Sequence, residues 1–183
     1  TCIRLCLFVV ISLLSAPSYA LPSYGIGFDY ATGRVVDLDN TNNVDGAGFT
    51  GVYHPNWPLW HNIETFFQSD LFYFHSSNAS MTPGFDANLW ILAVAPVFRY
   101  HFLPGNNIDP FIDASVGAGY MSTSKFDDRD LGIRYTFQDT AGLGVLLGQE
   151  QQFSIAVRIV HYSNAGLSSE NRGFTIPVIA SLR

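Results

Sequence analysis

The chain has 183 residues and a formal net charge of −6, with 15% aromatic and only 13% charged residues. The charged share is about half the usual one, and the acidic balance argues against a nucleic-acid partner. The two cysteines, Cys2 and Cys6, both fall in the first 20 residues, so the rest of the chain has none to pair.

Residues 1–20, TCIRLCLFVVISLLSAPSYA, place Arg4 before an apolar run at 5–14 and end on the small residues Ser18 and Ala20. That is the pattern of a secretory signal peptide. The run is too short to span a membrane as a helix, and the missing initiator Met suggests an incomplete N-terminus. Residues 21–183 are expected to form one domain. Many aromatics, few charges and no long apolar run in that part predict an all-β fold, a transmembrane β-barrel.

Strands are expected at 22–31 and 46–55, then a short connection at 56–60 flanked by Tyr53, Trp57 and Trp60, which suit an aromatic girdle. The next expected strands are 61–75 and 87–102. In the latter, Trp90, Leu92, Val94, Phe98, Tyr100 and Phe102 share one parity, against Ala93, Ala95, Arg99 and His101 on the other. The same split recurs at 109–121, where Ile112, Val116 and Tyr120 oppose Asp113, Ser115 and Gly117. Large apolar side chains face outward and small or polar ones inward, the reverse of a soluble barrel.

Further strands are expected at 132–147, 152–163 and 173–183. Gly142, Gly144 and Gly148 suit strand curvature or close packing rather than a phosphate loop. The total is an eight-stranded antiparallel transmembrane β-barrel, an even count that closes without edges. Connections are long at 32–45, 76–86, 122–131 and 164–172 and short elsewhere, which puts the long ones outside the cell. Inward Glu64, Asp70 and Asp113 against Arg99, Arg134 and Arg158 predict a filled interior rather than a pore. The chain ends Ala-Ser-Leu-Arg183, without the C-terminal aromatic of many outer-membrane strands, so a shortened last strand is expected. His54, His61, His75 and His101 are scattered, which argues against a metal site.

The strand at 152–163 poses a chemical question. Its outward parity, Phe153, Ile155, Val157 and Ile159, continues through His161 to Ser163. Polar residues there face lipid, at a depth-dependent cost. His161 lies nine residues beyond Gln152, roughly 20–25 Å up a tilted strand, near the outer-leaflet interface. A nucleophilic Ser beside a base, reached from the membrane, suits an acyl hydrolase acting on lipopolysaccharide; two interfacial residues wetted by headgroups is the plainer alternative. A turn centred on Glu150 would place Asp139 opposite His161 on the same outward face, where an acid could orient the imidazole.

The segments FQDTAGLGVLLG (137–148), RIVHYSNAG (158–166) and NRG (171–173) resemble the outer-membrane lipid A 3-O-deacylases. The resemblance implies a cofactor-independent serine esterase, located in the bacterial outer membrane, that removes the ester-linked acyl chain at position 3 of lipid A. It places His161 on the general base and Ser163 on the nucleophile. It also places Asn164 and Gly166 on the oxyanion hole and Asn171 on a further polar position. Where the family has its catalytic Glu, this chain has Thr175. Asp139 or Glu170 could then serve as the acid, or activity is weak or lost. The alternative function is a catalytically inactive surface barrel with a structural or adhesive role; an acyltransferase would instead add a chain. Lipid A is the expected partner, and homodimer formation is left open.

Overall fold

Alternation of lipid-facing and inward side chains runs through every long strand and decides the architecture. In the computed structural model, residues 23–34, 43–77, 83–170 and 173–183 are described; the expected signal segment at 1–20 and Asn171 lie outside them. The strands are β1 (Ser23–Arg34), β2 (Asn43–His54), β3 (Ile63–Ser76), β4 (Asn88–His101), β5 (Ile108–Met121), β8 (Tyr135–Leu147), β9 (Phe153–Ser163) and β10 (Phe174–Leu182). These eight close into an antiparallel barrel in the order β1-β10-β9-β8-β5-β4-β3-β2. Two further short strands, β6 (Lys125–Phe126) and β7 (Arg129–Asp130), pair in the loop before β8.

β4 shows the alternation plainly. Trp90, Leu92, Val94 and Phe98 are exposed while Leu89, Ile91, Ala93, Ala95 and Val97 are buried. Exposed apolar side chains all round a closed barrel make sense only against lipid. Trp57 and Trp60 lie exposed by the short β2–β3 connection, as an interfacial belt requires.

The sixth long strand starts at Tyr135 and not at 132. Gly132 turns at φ +70° and donates its N–H to Asp130 Oδ1 at 2.7 Å, so the chain bends before it joins the wall. Arg134 sits in that bend and is exposed, which corrects the inward position expected for it.

The interior also departs from a uniformly polar filling. Its long-loop half is an apolar plug that includes Phe72, Phe74, Leu89, Ile91, Val160, Tyr162, Phe174 and Ile176. Phe72 and Phe74 stack at 5.3 Å, and Phe126 from the β6–β7 hairpin reaches Phe174 at 5.7 Å. The hairpin thus stoppers the barrel, helped by the fully buried Leu131.

The short-turn half holds the charges. Asp113 accepts from Arg99 Nη2 at 3.2 Å and from Arg158 Nε and Nη2 at 3.2 and 2.8 Å. Gly142 makes room for this pair, since a Cβ there would meet Arg158 Cγ at 2.5 Å and Asp113 Oδ1 at 2.7 Å. Arg99 also lies between the rings of Phe66 and Phe111, 4.7 and 4.0 Å away. Asp70 accepts from Gln68 and Gln138, Asp29 accepts from Ser181, and the single Thr50 hydroxyl lies between the two carboxylates. His54 and His101, far apart in sequence, both contact Glu64, at 2.7 and 3.3 Å. His101 Nδ1 also meets Asp109 at 2.7 Å. A cavity of about 570 Å³ opens at the short-turn end, lined in part by His54, Glu64 and Arg99.

Candidate active site

Three adjacent strands place the site at the long-loop end of the outer wall. Leu147 pairs with Phe153, and the ladder runs unbroken to Asp139 opposite His161 and Phe137 opposite Ser163. On the other side, Thr175 pairs with His161. Asp139, His161 and Thr175 therefore form one row across β8, β9 and β10. Inward neighbours confirm the parity, since Val160, Tyr162, Gln138, Phe174 and Ile176 are buried.

A one-residue irregularity lies between Ile176 and Ile179, where β10 advances three residues while β9 advances two. Pro177 falls in it and has no N–H for the ladder. The bulge switches parity, so Ile176 above it and Ile179 below it both point inward. Without that step, Thr175 and the inward Ser181 could not each face the side they do.

His161 is partly buried, and its Nδ1 lies 2.8 Å from Thr175 Oγ1. The hydroxyl can accept the Nδ1 proton, which leaves the Nε2 lone pair free to take a proton. The ring also lies against Gly173, where a Cβ would meet His161 Cε1 at 3.1 Å, Nε2 at 3.3 Å and Tyr162 O at 2.6 Å. Ser163 is partly buried on the same face. Among the described residues no hydrogen bond joins Ser163 Oγ to the imidazole.

Asp139 is partly buried and makes no hydrogen bond or ion pair among the described residues. Glu170 is exposed, and its Cβ lies 3.1 Å from where a Cβ on Gly132 would stand. Its carboxylate has no bond to His161 among the described residues.

The loop after β9 is organised by Asn164, which is fully buried. Its Nδ2 donates to Leu131 O and to Glu170 O, each at 2.6 Å, and its Oδ1 accepts from Gly166 N–H at 2.8 Å. Ala165 and Gly166 take positive φ, +52° and +81°, to make that turn. In this state the Asn164 amide and the Gly166 N–H are engaged within the protein and tie the loop to the β6–β7 stopper.

A model of the lipid A 3-O-deacylase (PagL) family matches residues 24–179. The chain belongs to that family. It is 43% identical over 82 residues to lipid A deacylase PagL of Pseudomonas aeruginosa, covering 45% of this chain and 46% of that protein. It is 33% identical over 100 residues to lipid A deacylase PagL of Bordetella bronchiseptica, covering 55% and 51%. The alignments thus span about half the length of these curated relatives.

The crystal structure of the outer membrane enzyme PagL matches with a TM-score of 0.63 at 25% identity, over 85% of this chain and 97% of that one. Neisserial surface protein A, at 12% identity and a TM-score of 0.57 over 89% and 97%, shares the fold. The chain is an outer-membrane β-barrel.

Two features of the site were hidden in the sequence. The contact between Thr175 and His161 depends on the β9–β10 register, which a loop of unknown shape and a bulge at Pro177 jointly set. The role of Gly173 as clearance for the imidazole follows from the same pairing, and no local pattern marks it.

Proposed function

We propose that the protein is a lipid A 3-O-deacylase, a serine esterase that hydrolyses the ester-linked acyl chain at position 3 of lipid A in the outer leaflet. The observation that carries this is an imidazole and a hydroxyl, His161 and Ser163, turned toward lipid at the end of β9 that bears the long loops, with His161 Nδ1 already engaged by Thr175. A lipid-facing polar pair is costly for a barrel that has no use for it. Family membership supplies the substrate class.

In the proposed reaction His161 Nε2 takes the Ser163 hydroxyl proton as Oγ attacks the ester carbonyl. Collapse of the tetrahedral intermediate breaks the bond to the sugar 3-oxygen, which leaves with the proton from the imidazolium. Water, deprotonated by the same imidazole, then releases the fatty acid from Ser163. The oxyanion falls to the loop that Asn164 shapes. There the Gly166 N–H would turn from Asn164 Oδ1 to the developing charge, with Asn171 as the further amide donor. No cofactor enters the scheme.

Thr175 in the family's Glu position is the observation that favours the alternative, an inert surface barrel. Purified protein in detergent micelles with hexa-acylated lipid A separates the two. The deacylase releases free 3-hydroxy fatty acid and its Ser163→Ala variant releases none; equal traces from both would support the inert barrel.

A further inference from the structure

The two duties of a triad carboxylate are separable. One is geometric: accepting the Nδ1 proton fixes the imidazole tautomer and orientation. The other is electrostatic: a negative charge stabilises the imidazolium that forms when the base takes its proton. A hydroxyl can do the first but not the second.

We propose that this chain divides them between two strands, with Thr175 as the positioning residue on β10 and Asp139 as the charge on β8. The inference rests on the deacylase assignment above and names how its base is supported. Thr175 Oγ1 stands 2.8 Å from His161 Nδ1, the place an acid oxygen would take. Asp139 stands opposite the same imidazole from the other side. Directly opposed side chains on paired strands have Cβ atoms about 4.5–5.5 Å apart, within the range where a charge acts without a hydrogen bond.

Asp139 has no ion-pair or hydrogen-bond partner among the described residues, so nothing there offsets its charge. The other inhabitants of the face are neutral: Ser163 on β9, Phe137 on β8, Thr175 on β10 and Gly173 just before it. Glu170, the titratable group described in the loop after β9, is exposed, and its carboxylate makes no bond to His161 among the described residues. A carboxylate facing lipid is otherwise a cost with no return, and its position across from a base gives it one.

The test is a set of variants read by the pH dependence of kcat/KM on lipid A in micelles, with ring ¹⁵N NMR of His161. A base must be neutral to act, so the pH profile reads the charge beside it. Asp139→Asn should displace the acidic limb of that profile and cut the plateau rate on the order of tenfold, as loss of one partly screened charge implies.

Thr175→Ala should lower the rate by a similar factor while leaving the limb in place. It should also turn a single Nδ1–H tautomer into a mixture. Thr175→Ser should restore both. Thr175→Glu should raise the rate and the limb together, and in that background Asp139→Asn should cost several-fold less than it does alone.

An active protein whose Asp139→Asn variant keeps the parent limb and rate would overturn the division. So would Thr175→Ala with an unchanged rate and tautomer. An inactive parent made active by Thr175→Glu would overturn it too, while leaving the deacylase site standing. If the parent and Thr175→Glu are both folded and both inactive, the deacylase assignment itself fails and the division falls with it.

Discussion

Asp113→Ala tests the polar half of the barrel. Asp113 takes three hydrogen bonds from two guanidinium groups, Arg99 and Arg158, all three side chains being at least 96% buried. Removing it leaves two cations together in the barrel interior. Arg99 keeps a contact with Glu64 at 3.9 Å and its two aromatic faces, whereas Arg158 has no other charge partner among the described residues. Breaking a buried pair from one side costs about 3–5 kcal/mol, and the stranded Arg158 puts this variant toward the upper end.

Reversible urea unfolding in lipid vesicles, followed by tryptophan fluorescence, measures it. The double variant Asp113→Ala with Arg158→Met should recover about half of the loss, because it removes the stranded charge along with its partner. A loss below about 1 kcal/mol for the single variant, or strictly additive losses in the double, would refute the claim that these charges stabilise one another.

Three other outcomes follow from the same geometry. Val157→Arg, on the lipid face midway along β9, should destabilise the barrel by about 2–4 kcal/mol in the same assay; no change would mean the wall is assigned inside out. Gly173→Ala should keep the barrel folded but lower kcat about tenfold or more, since its Cβ would press on the His161 ring and on Tyr162 O. Unaltered kinetics would show that the clearance is unimportant. Asn164→Ala should leave barrel stability nearly intact but speed amide exchange across 164–170 and at 131–132, because the carbonyls of Leu131 and Glu170 lose their donor.

The parity of the strands could be read from the chain because one side chain in two had to suit lipid. That rule placed Trp90, Val157 and His161 outside and Arg99, Asp113 and Arg158 inside, all as found. The β8–β9 register was also legible, because the short turn at 148–152 leaves little freedom, and Asp139 came out opposite His161.

Long-range relations were not legible. Phe72, Phe74 and Tyr162 follow the inward parity, but alternation says nothing about whether the inside is wet or dry at a given height. Arg134 was expected inside but is exposed, because the bend at Gly132 keeps it out of the wall and the strand begins only at Tyr135. Asn164 bonds to the carbonyl of Leu131, and a backbone acceptor 33 residues away carries no side-chain signature. His54 and His101 meet on Glu64 only once three strands are aligned.

The most direct measurement of the central claim is the mass spectrum of lipid A from a Gram-negative host whose outer membrane carries the protein, beside the same host carrying Ser163→Ala. Loss of one ester-linked 3-hydroxyacyl group from position 3 in the first, and its retention in the second, is the predicted result. Identical spectra from the two, with both barrels folded and inserted, would contradict it.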